Sequence, residues 1–146
     1  MLFGQDRDRI RRFWCQAWAD HLAGRSLEPL QQQIVAVIGQ HPEYRPLVED
    51  EERACSRDYP PESGETNPFL HMGMHLAIQE QLATDRPAGI RALYAQLLPR
   101  FGDGHALEHR LMECLAESIW QAQRQGGLPD EQAYLDCVRS IPGGDE

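Results

Sequence analysis

The stretch NPFLHMGMHLAIQEQ, Asn67 to Gln81, decides the fold. Asn67 suits a helix N-cap, because its side-chain oxygen can accept from an orphan amide of the first turn. Pro68 suits the first helical position, where no amide donor is needed. The residues after Pro68 contain neither a β-branched run nor period-two alternation, so the spacing predicts a helix from Pro68 to about Ala83. Its first half is apolar nearly all round, through Phe69, Leu70, Met72, Met74 and Leu76, which marks a central helix. Two histidines interrupt it. At about 100° per residue, His75 lies about 40° from His71, on the face that also carries Ile78 and Leu82.

The device recurs in DGHALEHRLMECL, residues 103–115. Asp103 can cap a helix that runs to about Gln125, where Gly126-Gly127 stops it. With His105 at zero, His109 falls at about 40°, Met112 at about 340°, Ala116 at about 20°, Ile119 at about 320° and Trp120 at about 60°. Glu113 falls at about 80°, on the edge of that face and one turn beyond His109. Glu108 falls at about 300°, inside the apolar arc, and Cys114 at about 180°, directed away.

Residues four apart on a helix have Cβ atoms about 5–6 Å apart, and two imidazoles so placed can converge on one metal ion. Four buried imidazoles need partners, and neighbouring imidazolium charges repel. A divalent cation answers both demands, since it binds neutral imidazole and ionised carboxylate. The candidate metal ligands are therefore His71, His75, His105, His109 and Glu113. Zinc, iron, manganese, nickel and copper all accept imidazole, so the ligand set alone does not choose among them. An open coordination position would make such a metalloprotein an enzyme with a metal-activated water, and Glu113 a ligand or a base for it. His21 reads as a helix-end histidine favoured by the dipole, and His41, before Pro42, as structural. The competing reading is a non-enzymatic helical module that binds a protein partner, its histidines hydrogen-bonded inside the core. The acidic run Glu49 to Glu52 and the Pro-rich loop after it are the features that favour this. HALEH also fits the His-x-x-Glu-His pattern of inverted zinc proteases. Those enzymes need a further acidic ligand in a much larger chain. No serine or cysteine sits by spacing beside a histidine and a carboxylate.

The rest of the chain extends the helical reading. Ile10, Phe13, Trp14, Ala17, Trp18 and His21 form a core-facing stripe that Gly24 ends. Ser26 can cap a second helix with Pro29 in its first turn and Leu30, Ile34, Val37 and Ile38 inward. PEYRPLVEDEERAC reads as a short helix or two turns. Ile90, Leu93, Tyr94, Leu97, Leu98 and Phe101 form another stripe, broken or kinked at Pro99. A last helix follows Pro129, with Tyr134, Cys137, Val138 and Ile141 inward. The expected architecture is all-α, a single-domain helical bundle of five to seven helices over residues 1–146. It carries a Pro/Gly-rich loop at 56–67, either a plain linker or a lid over the histidines, and a loose tail at 142–146.

Composition bounds the function. The net charge of −9 opposes nucleic acid, and no basic stripe offsets it. Arg7, Arg9, Arg11 and Arg12 interleave with Asp6 and Asp8 and read as a solvated helix face. No apolar stretch approaches a membrane span, and MLFGQDRDRI has no apolar core of a secretory signal. Cys15, Cys55, Cys114 and Cys137 are far apart and read as reduced thiols of a cytoplasmic protein. A protein partner and a small-molecule substrate both stay open, as does the oligomeric state.

From FWCQAW to about AYLDCV the chain resembles a proteobacterial family classed as a domain of unknown function. The likeness rests on HPEYRPLVED, DYPPESGETNPFLHMGMHLAIQEQ and DGHALEHRLMECL. It implies a small cytoplasmic bacterial protein and supplies no activity. More distantly, the paired histidines resemble metal-binding bundles of the hemerythrin and DinB kinds. Hemerythrin-like bundles draw on a further lone histidine, for which only His21 stands available. DinB-like sites take three histidines from separate helices, whereas here they come in pairs.

Overall fold

The structure, a computed structural model, describes residues 2–142. It is all-α, with eight α-helices, two short 3-10 turns and no strand among the described residues. Residues 143–146 of the expected tail lie outside the described residues. Contacts divide the chain into two units, Met1–Leu76 and Ala77–Glu146, with the boundary inside one continuous helix.

The first unit holds α1 (Leu2–Leu22), α2 (Pro29–Gly39), α3 (Arg45–Val48), α4 (Glu51–Ser56) and the first half of α5 (Pro68–Thr84). Its core joins Trp14, Ala17 and Trp18 to Ile34, Val37, Ile38, Leu47, Val48, Ala54, Phe69 and Met72. PEYRPLVEDEERAC, expected as a short helix or two turns, forms two short helices, which brings the count among the described residues to eight against the expected five to seven. There Asp50 ends one turn and starts the next, its carboxylate accepting from the Arg53 amide at 3.1 Å. The second helix begins at Pro29 rather than near Ser26, because Gln31 folds back to accept from the Glu28 amide at 2.8 Å.

The α1 stripe is turned from its expected phase. Ile10 and Phe13 are exposed, while Arg11 and Cys15 are buried. The cause is Arg11, whose guanidinium donates to the carbonyls of Ala54 at 2.9 Å and Arg57 at 2.6 Å. Its cationic carbon also lies 5.2 Å from the centre of the Phe69 ring and 5.8 Å from that of Tyr59. A buried cation is tolerable when carbonyls and aromatic faces replace its water. The basic cluster is therefore not merely a solvated face. Arg7 donates to the Cys55 carbonyl at 3.1 Å and pairs with Asp58. Arg57 pairs with Glu65, so the 57–67 segment is fastened at several points. The acidic run is similarly engaged: the Trp18 indole donates to Glu49 at 2.9 Å, and Glu51 lies 3.7 Å from Arg12.

The second unit holds the rest of α5 with α6 (Ile90–Phe101), α7 (Gly104–Gln125) and α8 (Glu131–Arg139). Its core includes Ile78, Ile90, Leu97, Leu107, Leu111, Met112, Tyr134, Leu135 and Val138. Asp85, at φ 53°, accepts from the amides of Gly89 at 3.2 Å and Arg91 at 3.0 Å and so starts α6. That helix runs unbroken through Pro99. The proline sits in the closing turn, where it removes one amide donor and displaces little. Gly126, at φ 72°, ends α7 as expected.

Along α7 the expected apolar face holds to Met112 and fails beyond it. Ile119 and Trp120 are exposed, and Cys114, read as directed away, is buried. Cys114 forms a disulfide with Cys137 of α8, their Cα atoms 5.8 Å apart across 23 residues of sequence. This corrects the reading of four reduced thiols. The glycine turn after α7 returns the chain so that residues remote in sequence meet. Cys15 and Cys55 are free. Burial pushes the Cys15 thiol up to about 12, so it stays protonated and unreactive. No helix among the described residues is long and apolar enough to cross a membrane.

Candidate metal centre

In the first unit, three imidazoles meet. The Asn67 side chain accepts from the amides of Phe69 at 3.0 Å and Leu70 at 3.3 Å, which fixes where α5 starts. The start sets the phase of the two histidines in its first turns. The rings of His71 and His75 lie 4.9 Å apart. His41, from the turn after α2, closes the group at 4.8 Å from His75 and 5.2 Å from His71. Tyr44 stacks flat on His41 at 5.5 Å, which holds the ring in plane. His75 is wholly inaccessible and His41 nearly so, whereas His71 is half-buried.

The His41 Nδ1 lies 2.8 Å from the Val37 carbonyl oxygen. A carbonyl can only accept, so Nδ1 carries a proton. That is the arrangement of a ligand imidazole whose second nitrogen is anchored to the backbone. The Nε2 atoms of His41, His75 and His109 are all shielded from solvent.

In the second unit, Asp103 accepts from the His105 amide at 3.0 Å and fixes the start of α7. His105 and His109 then face each other with ring centres 4.5 Å apart. Glu108, between them in sequence, is only 8% exposed. The Gln79 amide donates to its carboxylate at 3.5 Å. Burial first, then the charges of Glu108 and Asp103, push the Tyr94 phenol up. The Tyr94 hydroxyl rests against Gly104, where an added Cβ would meet it at 2.8 Å. The absence of a side chain at Gly104 is thus what admits Tyr94 beside the first turn of the histidine helix.

Of the five residues picked from sequence, His71 and His75 come together in one unit and His105 and His109 in the other. Glu113 is placed elsewhere: its side chain is 72% exposed, and its carboxylate lies 3.3 Å from Arg110. His21 is exposed at the end of α1 against Trp18. His41 is the member that sequence spacing missed. It lies far from the paired motifs along the chain, and its only local sign is a histidine closing a helix before proline.

The fold and these rings define a class, an all-α protein with a group of neighbouring histidines in each of its two units. Residues 6–140 match the family model described as a domain of unknown function (DUF1841), and the chain belongs to that family. No curated protein and no solved structure matches it.

Proposed function

We propose that this protein binds a divalent transition-metal ion through the paired histidines His71, His75, His105 and His109, with His41 beside the first pair. One observation carries the reading: within the first unit the His41, His71 and His75 rings meet, with centres 5.2 Å, 4.8 Å and 4.9 Å apart. Their chemistry supports it. Neutral imidazole suits zinc, copper, iron and nickel, and four nitrogen donors complete a closed tetrahedral shell. His41 is anchored through Nδ1 on the Val37 carbonyl, which directs its Nε2 away from that helix. Glu113, paired with Arg110 at the surface, would join only by leaving that partner.

A closed four-nitrogen shell favours a structural or electron-transfer role. An open position would favour metal-activated water. The likeness to hemerythrin and DinB bundles fits this proposal in that the paired histidines are carried by helices. The bacterial cytoplasm is the setting proposed with it. There the Cys114–Cys137 bond would face reducing thiols, and trapping thiols at the moment of lysis tests that setting. The metal reading is tested by loading the apo protein with zinc or cobalt(II) and measuring stoichiometry. It expects near one equivalent, lost in His75→Ala and in His109→Ala.

A further inference from the structure

We propose that the Cys114–Cys137 bond is a thiol-exchange site, attacked at Cys137 by a small aminothiol that enters from the cavity beside it. The bond joins α7 to α8, and both helices belong to the second unit. Its two cysteines are unequally presented: Cys114 is 4% exposed, whereas Cys137 is half-buried. Both line a cavity of about 220 Å³, so a ligand reaches the bond with α8 in place. That volume lies below the range for drug-sized ligands, about 300–1,000 Å³, and suits a small molecule. The charged groups in the wall are Glu117 and Asp130, and among the described residues no cationic side chain lines it. The hydrogen bonds these carboxylates accept come from neutral donors, the Gln121 amide at 2.9 Å and the Ala133 backbone amide at 3.1 Å.

The attacking species in exchange is a thiolate. An anion entering between two carboxylates is repelled, and an ammonium group on the same molecule offsets that repulsion. The aminothiol's sulfur forms a bond to the Cys137 sulfur in line with the disulfide, which breaks. The electron pair goes to the Cys114 sulfur, which takes up the proton that the attacking thiol gave up. A second aminothiol attacks the small molecule's sulfur in the mixed disulfide and releases Cys137 as a thiol together with a small disulfide. Two thiols are oxidised, and the protein pair gains two electrons and two protons. Reduction frees α8 from α7, so exchange sets how firmly the end of the second unit is held.

The test mixes the folded, oxidised full chain with cysteamine, mercaptoethanol or glutathione. Each rate, per thiolate, is divided by that of the same thiol on 2-hydroxyethyl disulfide, a neutral reference. Reduction should be first order in thiol, and the normalised rate for cysteamine should exceed that for glutathione roughly three- to tenfold. The preference should shrink at about 1 M salt and in the double variant Glu117→Gln with Asp130→Asn, which keeps the α8 cap. Acid quenching, alkylation and peptide mass mapping should place the cysteamine adduct on Cys137. An adduct on Cys114 would overturn the assignment. So would equal normalised rates, or a rate independent of thiol concentration, since the bond would then be reached only by unfolding. A bond that resists all three thiols in the folded protein would overturn it as well.

Discussion

Removing the Cys114–Cys137 bond should weaken the second unit by an amount its loop length sets. The bond spans 23 residues of sequence, carrying the last turns of α7, the glycine turn and most of α8. Cross-linking a loop of that length removes chain entropy from the unfolded state worth about 3 kcal/mol at room temperature. The native state gives little back when the bond is absent, because Tyr134, Leu135 and Val138 still bury α8 against its neighbours. Cys114→Ala with Cys137→Ala should therefore fold to the same helical content and unfold earlier in urea. With a slope of about 1–3 kcal/mol/M, the midpoint should drop by roughly 1–3 M. Circular dichroism follows the loss of helix, α7 and α8 included. A thiol count under denaturing, non-reducing conditions should give two, from Cys15 and Cys55, rising to four after reduction. Four thiols before reduction, or a midpoint unmoved by the double substitution, would refute the reasoning.

Three further outcomes rest on named contacts. Burial pushes the Tyr134 phenol up to about 12. The raised value means that its stabilisation is complete below the unfolded-state value of about 10 and is lost as pH rises through 12, roughly 3 kcal/mol in all. Alkaline urea melts of Tyr134→Phe should lack that loss, at the cost of the bond to Gln81. The Asp85 carboxylate is held below its usual range by the amide of Arg91 first and that of Gly89 after it. Its contribution is therefore present above the unfolded value and lost as pH falls through the folded one. Asp85→Ala should lower the melting temperature at neutral pH and match wild type in strong acid. Gly104→Ala drives a Cβ to 2.8 Å from the Tyr94 hydroxyl and should cost about 1 kcal/mol or more. Adding Tyr94→Phe, which removes that oxygen, should restore most of it; equal stability of Gly104→Ala and wild type would contradict the contact.

Much of the fold was legible because local signals placed it. Asn67-Pro68, Asp103 and Gly126 mark helix ends by backbone chemistry that needs no tertiary partner, and all three hold. Phase was less legible. The α1 stripe misplaced Ile10 and Phe13 because Arg11 is drawn inward by carbonyls of Ala54 and Arg57, more than forty residues on. Periodicity treats arginine as polar and has no way to weigh such a partner. On α7 it turned Cys114 outward, because the α8 residues that cover it return from later in the chain. The histidine pairs were readable since four-residue spacing is a helix property. His41 was not readable, because its approach to His71 and His75 is purely tertiary. Glu113 shows the converse: spacing put it at the edge of the face, and Arg110, three residues earlier, holds it at the surface.

The central claim is that a metal ion occupies the histidine cluster, and elemental analysis of purified, untagged protein tests it most directly. Near one equivalent of a transition metal per chain is predicted after reloading and dialysis, falling to background in His75→Ala and in His109→Ala while both variants stay helical. Background metal in reloaded wild-type protein, or full occupancy in both variants, would contradict it.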